Sequence, residues 1–314
     1  MKMSTSSSRI TAKNINENLQ KASYAVRGPI VQRSAEITKV LDSEEGQTKF
    51  PFQKLIPCNI GNPHALGQPG ISFVRDVLSI VINPSLIEIV PFPKDTVERA
   101  NKYLNGTPDI GAYSDSQGIL AVREEISQFL ERRDGYESSP SAIFLTNGAS
   151  DGVRACMQTM LRDPRSGFKD GIMTPIPQYP LYSALTTLLQ AHQIPYFLDE
   201  TDEWGCSGSL LSEAFLKAES DGLCARALVV INPGNPTGQI LPVETMGEII
   251  TFCRKNNICL MADEVYQENI WKNDTAFVSF RKIAMDMKAF DGDQPLQLIS
   301  FHSVSKVTKH TIDT

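Results

Sequence analysis

From about residue 140 onward, short β-branched and apolar runs alternate with longer stretches whose apolar positions recur at helical spacing. That alternation predicts an α/β fold, a mostly parallel sheet with flanking helices. Strands are expected at Ile143 to Thr146, Gly171 to Thr174, Ile194 to Leu198, Ala227 to Asn232, Ile258 to Ala262 and Leu298 to Phe301. Between them, helices are expected at 150 to 162, 180 to 191, 208 to 220 and 242 to 256. The last opens with Pro242 in its first turn and sets Val243, Met246, Ile249, Ile250 and Cys253 on one face. Upstream, Ile119, Leu120, Val122, Ile126, Phe129 and Leu130 predict another amphipathic helix, with Arg123, Glu124, Glu125, Glu131, Arg132 and Arg133 on its polar side. The first hundred residues are less regular and are interrupted by Pro84, Pro91 and Pro93. They read as an N-terminal arm and part of a small domain over 1–105, with a larger α/β domain over 106–314.

Composition narrows the function classes. The chain has 314 residues, 41% of them hydrophobic, enough to bury a large core. Thirty basic and 36 acidic residues give a net charge of -6, with no basic block to track a phosphate backbone, so no nucleic-acid partner is expected. No apolar run approaches the roughly 18 to 20 residues that span a bilayer, and the start has no apolar signal core, so no membrane association is expected either. Acidic residues are absent before Glu17 while Lys2, Arg9 and Lys13 are present, a composition shared with organellar transit peptides. A cytoplasmic location is expected, with a mitochondrial one as the alternative. The six cysteines form no C-x-x-C pair and read as reduced thiols. Only four histidines occur, far apart in sequence, so no metal site is expected.

The candidate chemistry lies where strands end, because ligands gather at the carboxyl ends of parallel strands. Asn147, Gly148, Ala149, Ser150, Asp151 and Gly152 form a glycine turn into a helix, which is either a phosphate site or an ordinary connection. In Pro175 to Tyr182 (PIPQYPLY), prolines stiffen the loop around Tyr179, whose ring either stacks on a flat ligand or packs under the loop. Residues 232 to 238 (NPGNPTG) make a rigid loop around the Asn235 amide. Asp263 and Glu264 follow a buried strand, either as a polar strand end or as partners of a buried cation. Lys306 follows the run Leu296 to Phe301 beside Ser303 and Ser305. A lysine held there can lose its proton and condense with a carbonyl.

Taken in order, NPGNPTG at 232 to 238, ADEVYQ at 262 to 267 and SFHSVSK at 300 to 306 resemble the pyridoxal-phosphate-dependent aminotransferases of fold type I, class I/II. NIGNPHALGQ at 59 to 68, GAYSDSQG at 111 to 118, TNGAS at 146 to 150 and PIPQYPLYSA at 175 to 184 resemble the alanine aminotransferase branch in particular. The resemblance runs from residue 15 to Lys306. It implies pyridoxal 5'-phosphate as cofactor and the reaction of L-alanine with 2-oxoglutarate to give pyruvate and L-glutamate. Lys306 would anchor the cofactor aldehyde as an imine and then move the substrate proton. Asp263 would pair with the pyridine nitrogen, and Asn235 and Tyr266 would bond the ring's phenolic oxygen. Tyr179 would lie on the ring face. Ala149 and Ser150, through backbone N–H groups, and Ser303 would hold the phosphate. Tyr113 matches a residue lent to the neighbouring subunit, which implies a homodimer, and Gly61 matches a backbone contact on the substrate side.

The resemblance also sets expectations from what differs. Residues 307 to 314 (VTKHTIDT) lack the glycines and the phosphate-clamping arginine expected after the lysine. The family sheet inserts a later, antiparallel strand between those ending near Thr146 and Phe301, so a chain truncated after Lys306 is expected to leave both edges unpaired. The alternatives are a glyoxylate-using aminotransferase or pyridoxal-phosphate-dependent lyase of the same fold, and an inactive isoform that pairs with full-length subunits.

Overall fold

The structure is a computed structural model, and it describes residues 10–11, 14–24, 28–43, 46–58, 64, 67–107 and 111–306. Five strands, β1 (Asp170–Ile176), β2 (His192–Phe197), β3 (Cys224–Ile231), β4 (Cys259–Asp263) and β5 (Leu298–Phe301), form one sheet in the order β2-β1-β3-β4-β5. Every pairing is parallel. The helices are α1 (Glu17–Lys21), α2 (Pro29–Leu41), α3 (Gly46–Lys49), α4 (Ser72–Ile82), α5 (Lys94–Gly106), α6 (Leu120–Asp134), α7 (Ala149–Met160), α8 (Leu181–Leu188), α9 (Gly208–Ser220), α10 (Val243–Lys255) and α11 (Phe280–Asp286).

Side chains alternate across a strand, and a sheet buried on both faces needs apolar residues at both parities. On β3, Leu228 and Val230 join α9, α10 and α11 residues such as Leu211, Ile249, Ile250 and Phe280 in one core layer. Ala227, Val229 and Ile231 join α7 and α8 residues such as Val153, Met157 and Tyr182 in the other. A separate small cluster, Val77, Ile80 and Ala100, joins α4 to α5. In α10 the predicted face buries Met246, Ile249, Ile250 and Cys253, but Val243 in the first turn remains 46% exposed.

Two expectations need correction. Residues 143 to 146 are not a strand. Ile143 is extended, but the Leu145 N–H donates to Gln117 O, a loop carbonyl, at 2.9 Å. Among the described residues no strand lies beside β5 on its outer edge, so the segment has no ladder to join. The apolar side of α6 is also only half-buried, with Leu120 50% exposed, whereas Arg123, Ser127 and Asp134 are fully buried. Each of these polar groups is hydrogen-bonded, which is the condition for burying it. Arg123 donates to Gly118 O, Gln117 Oε1, Pro140 O and Asp115 Oδ2 and so ties down the loop at 115 to 118.

Candidate active site

Strand register collects the site. Ile231 pairs with Asp263 and Asp263 with Phe301, so β3, β4 and β5 end in one row. The residues that follow (Asn232, Glu264, His302 and their successors) emerge side by side at the carboxyl end of the sheet. The Asn232 N–H bonds Asp263 O at 3.0 Å, and its side-chain oxygen accepts from Leu241 N at 3.0 Å, which closes the NPGNPTG loop against the sheet.

Asp263 is 5% exposed. Its carboxylate accepts from Tyr182 Oη at 2.6 Å and from Val265 N at 3.4 Å. Burial raises its pKa, opposed by those two donors and the charge of Lys306. An ionised Asp263 therefore favours a nearby cation. Tyr182 is fully buried, and burial followed by the neighbouring Asp263 charge raises its phenol pKa, so it stays a donor.

Asn235 Nδ2 donates to Tyr266 Oη at 3.2 Å, which brings the amide and phenol together. The Lys306 ammonium lies 4.8 Å from the centroid of the Tyr266 ring. Lys306, Asp263, Tyr266 and Asn235 thus share one side of the sheet's end. Tyr179 belongs to the same group. Its phenol is 2.5 Å from Tyr24 Oη, its ring meets the Tyr24 ring edge-on at 6.2 Å, and burial raises its pKa. Tyr24 follows α1, so the N-terminal arm reaches the site.

Gly148, with φ +75°, turns the chain into α7, so Ala149 and Ser150 lie in the first helical turn. Their N–H groups have no intrahelical acceptors there. Ser303 Oγ is 2.5 Å from Ser305 Oγ and accepts from Ser305 N at 3.2 Å, folding the segment that carries Lys306 into a turn. Tyr113 is fully exposed. Gly61 lies outside the described residues.

Two contributors are given no role in the sequence reading: Tyr182, although it lies within PIPQYPLYSA, and Tyr24. Tyr182 reads as one more apolar position of a helix. Its signal is that a buried phenol needs a hydrogen-bond partner. Tyr24 sits in the irregular first hundred residues and offers no such signal.

Residues 89–307 match the sequence model for aminotransferase class I and II. The chain is 45% identical over 298 residues to glutamate–glyoxylate aminotransferase 2 of Arabidopsis thaliana, covering 93% of this chain and 59% of that one. It is 44% identical to the mitochondrial alanine aminotransferase 2 of the same plant, covering 96% and 56%. Alanine aminotransferase 1 of Rattus norvegicus is 43% identical, with 95% and 59% covered. The chain therefore spans somewhat more than half the length of these relatives. Among solved structures, an alanine aminotransferase from Pyrococcus furiosus superposes with a TM-score of 0.67 at 20% identity, covering 93% of this chain and 60% of that one. An Escherichia coli aminotransferase gives 0.66 at 24% identity, covering 94% and 58%. With the family match over residues 89–307, most of its length, this chain belongs to the class I and II aminotransferases.

Proposed function

We propose that this chain binds pyridoxal 5'-phosphate and carries the proton-transfer groups of an alanine transamination, L-alanine plus 2-oxoglutarate giving pyruvate plus L-glutamate. The observation that carries this reading is the grouping of Lys306, Asp263, Asn235, Tyr266 and Tyr179 at one end of the sheet. The residues fit the cofactor by their chemistry. A buried carboxylate suits a ring N–H cation, a phenol and an amide suit a phenolate oxygen, and an amine suits an aldehyde. Helix N–H groups and serine hydroxyls suit a phosphate.

When bound, the cofactor supplies an electron sink for the charge left when the substrate Cα proton departs. Lys306 would be its covalent anchor and, when free, the base that takes that proton and returns it. Asp263 would pair with the ring N–H, and Tyr182, donating to Asp263 at 2.6 Å, orients the carboxylate. Asn235 and Tyr266, joined at 3.2 Å, would bond the cofactor's phenolic oxygen, while Tyr179 would lie against the ring. Ala149, Ser150 and Ser303 would hold the phosphate, and the match of Gly61 to a substrate-side contact rests on sequence alone. The exposed Tyr113 supports a homodimer in which it reaches the neighbouring subunit. The distinct α4–α5 cluster supports a division into an arm with part of a small domain at 1–105 and a cofactor-binding domain at 106–314.

Glyoxylate as amino acceptor is the second reading, carried by the 45% identity to a glutamate–glyoxylate aminotransferase. Among the described residues no helix is long and apolar enough to cross a membrane. Our reading places the chain in the cytoplasm, with the mitochondrion as the alternative supported by relatives named for that compartment.

The test is direct. The purified chain is incubated with pyridoxal phosphate, reduced with borohydride and digested, and the labelled lysine is located by mass spectrometry. Label concentrated on Lys306 is expected. Label scattered over surface lysines overturns the reading. Alanine-dependent amino transfer to 2-oxoglutarate or to glyoxylate then separates the two acceptors.

A further inference from the structure

Behind the candidate site lies a polar network that the proposed chemistry does not use. It begins at the end of α6, where Arg133 Nη1 donates to Gln267 Oε1 at 3.0 Å. Arg133 also pairs with Asp134, which in turn accepts from Ser279 and Arg281. Gln267 is 3% exposed, and its Nε2 lies 2.6 Å from His302 Nδ1. The His302 ring stacks on Phe129 of α6, with centroids 6.2 Å apart and planes 11° from parallel. The Glu264 N–H bonds Phe301 O at 3.0 Å, closing the same seam through the backbone.

The donor order in this network is fixed. A guanidinium only donates, so the Gln267 oxygen must face Arg133 and its NH2 must face His302. His302 Nδ1 is then an acceptor, and the ring is neutral with its proton on Nε2. An imidazolium would set N–H against N–H. The network also has a pattern along the chain. Gln267 follows Tyr266, and His302 precedes Ser303, so these two side chains are each one residue from a group of the candidate site.

We infer that the relay Arg133–Gln267–His302 is a positioning device that clamps segment 302–306, and with it Ser303 and Lys306, against the turn carrying Asp263 and Tyr266. For function it rests on the reading that Lys306 anchors the cofactor. The clamp itself is a property of the chain alone. Besides Arg133, the charged groups around the relay are Asp134 on α6, Glu264 after β4, and Arg281 on α11. Partial burial and then the Arg133 charge lower the His302 pKa to about 4, although one flank of the residue stays exposed. That agrees with the neutral tautomer.

Two substitutions separate a clamp from simple packing. Gln267→Leu keeps the volume and removes both bonds. Gln267→Glu keeps an acceptor for Arg133 and offers a second oxygen to a protonated His302. Amide hydrogen exchange of the 302–306 peptide, measured without cofactor, is expected to rise about tenfold in Gln267→Leu and to stay near wild type in Gln267→Glu. By NMR, His302 is expected to remain neutral above pH 5 in the wild type, and its pKa to rise by about two pH units in Gln267→Glu. If Gln267→Leu does not fold, the Gln267→Glu exchange and the His302 titration still decide. A wild-type His302 titrating near its ordinary value, unchanged exchange in Gln267→Leu, or exchange in Gln267→Glu about tenfold faster than in the wild type overturns the clamp. Exchange that follows these expectations in a chain whose Lys306 takes no borohydride label keeps the clamp and overturns the cofactor reading instead.

Discussion

Asp263 shows how a single buried carboxylate is held for use. Isolated in an apolar layer it would take up a proton, because desolvation penalises the anion. Tyr182 counters this with a 2.6 Å bond from a fully buried phenol. Such a bond to a charged acceptor contributes on the order of 1.5–3 kcal/mol. Tyr182→Phe removes it while preserving the ring that packs against Val153 and Ile172 in the same core layer. The expected outcome is roughly tenfold weaker pyridoxal phosphate binding, read by fluorescence titration, together with a lower urea midpoint, because a buried carboxylate loses its main donor. Equal affinity in the two proteins would show that Asp263 is oriented by other groups. Lys306 and Asp263 were legible as chemistry from the sequence because a charged residue directly after an apolar strand is conspicuous. Tyr182 was not, since the tyrosine pattern of PIPQYPLY does not say which phenol faces a carboxylate and which faces a ligand.

At the scale of elements, legibility followed periodicity. Helices α7, α9 and α10 lie within two residues of the spans the apolar spacing predicts. Strands β1 to β5 match five of the six apolar runs. The sixth, 143 to 146, fails because a strand is defined by its neighbour, and composition does not report whether a neighbour is at hand. Helices α2, α4 and α5 lie in sequence that reads as irregular; α2 opens on Pro29 and α5 follows Pro93, so prolines that look like breaks there are helix starts. Core energetics put α10 at the centre of one layer. Its Ile250 is fully buried among strand and helix residues. Ile250→Ala removes three methyl or methylene groups and leaves a cavity, so a loss of about 2–5 kcal/mol is expected in urea denaturation. A loss under about 1 kcal/mol would mean that α10 rearranges to fill the space.

For the whole molecule, the network behind the site makes stability depend on pH through two groups of opposite sign. Glu264 is 1% exposed, and burial raises its pKa to about 7, partly offset by Arg133 and by the bond it accepts from Phe280 N. Its folded-state pKa exceeds its unfolded value, so the folded chain binds more protons between about pH 4.5 and 7. Stability must fall as pH rises through that window, by about 3 kcal/mol for this group alone. His302 acts oppositely. Its folded pKa, lowered to about 4, lies below the unfolded value, so from about pH 4 to 6.5 stability rises with pH. Its contribution is smaller than Glu264's because its exposed flank is screened by water. Asp134 and Asp170, held low against burial by their arginine partners, contribute stability that is lost only as pH falls through their folded pKa values, below the ordinary carboxylate range. The wild-type chain is therefore expected to lose stability only gently between pH 4.5 and 7. His302→Gln removes the compensating slope, so urea midpoints should then fall more steeply over that range. Glu264→Gln keeps a side-chain oxygen for Phe280 N but does not titrate, so its midpoints should rise from pH 4 to 6.5 and then level off. Identical pH profiles for wild type and Glu264→Gln would show that Glu264 is ionised in the folded chain throughout, balanced by Arg133.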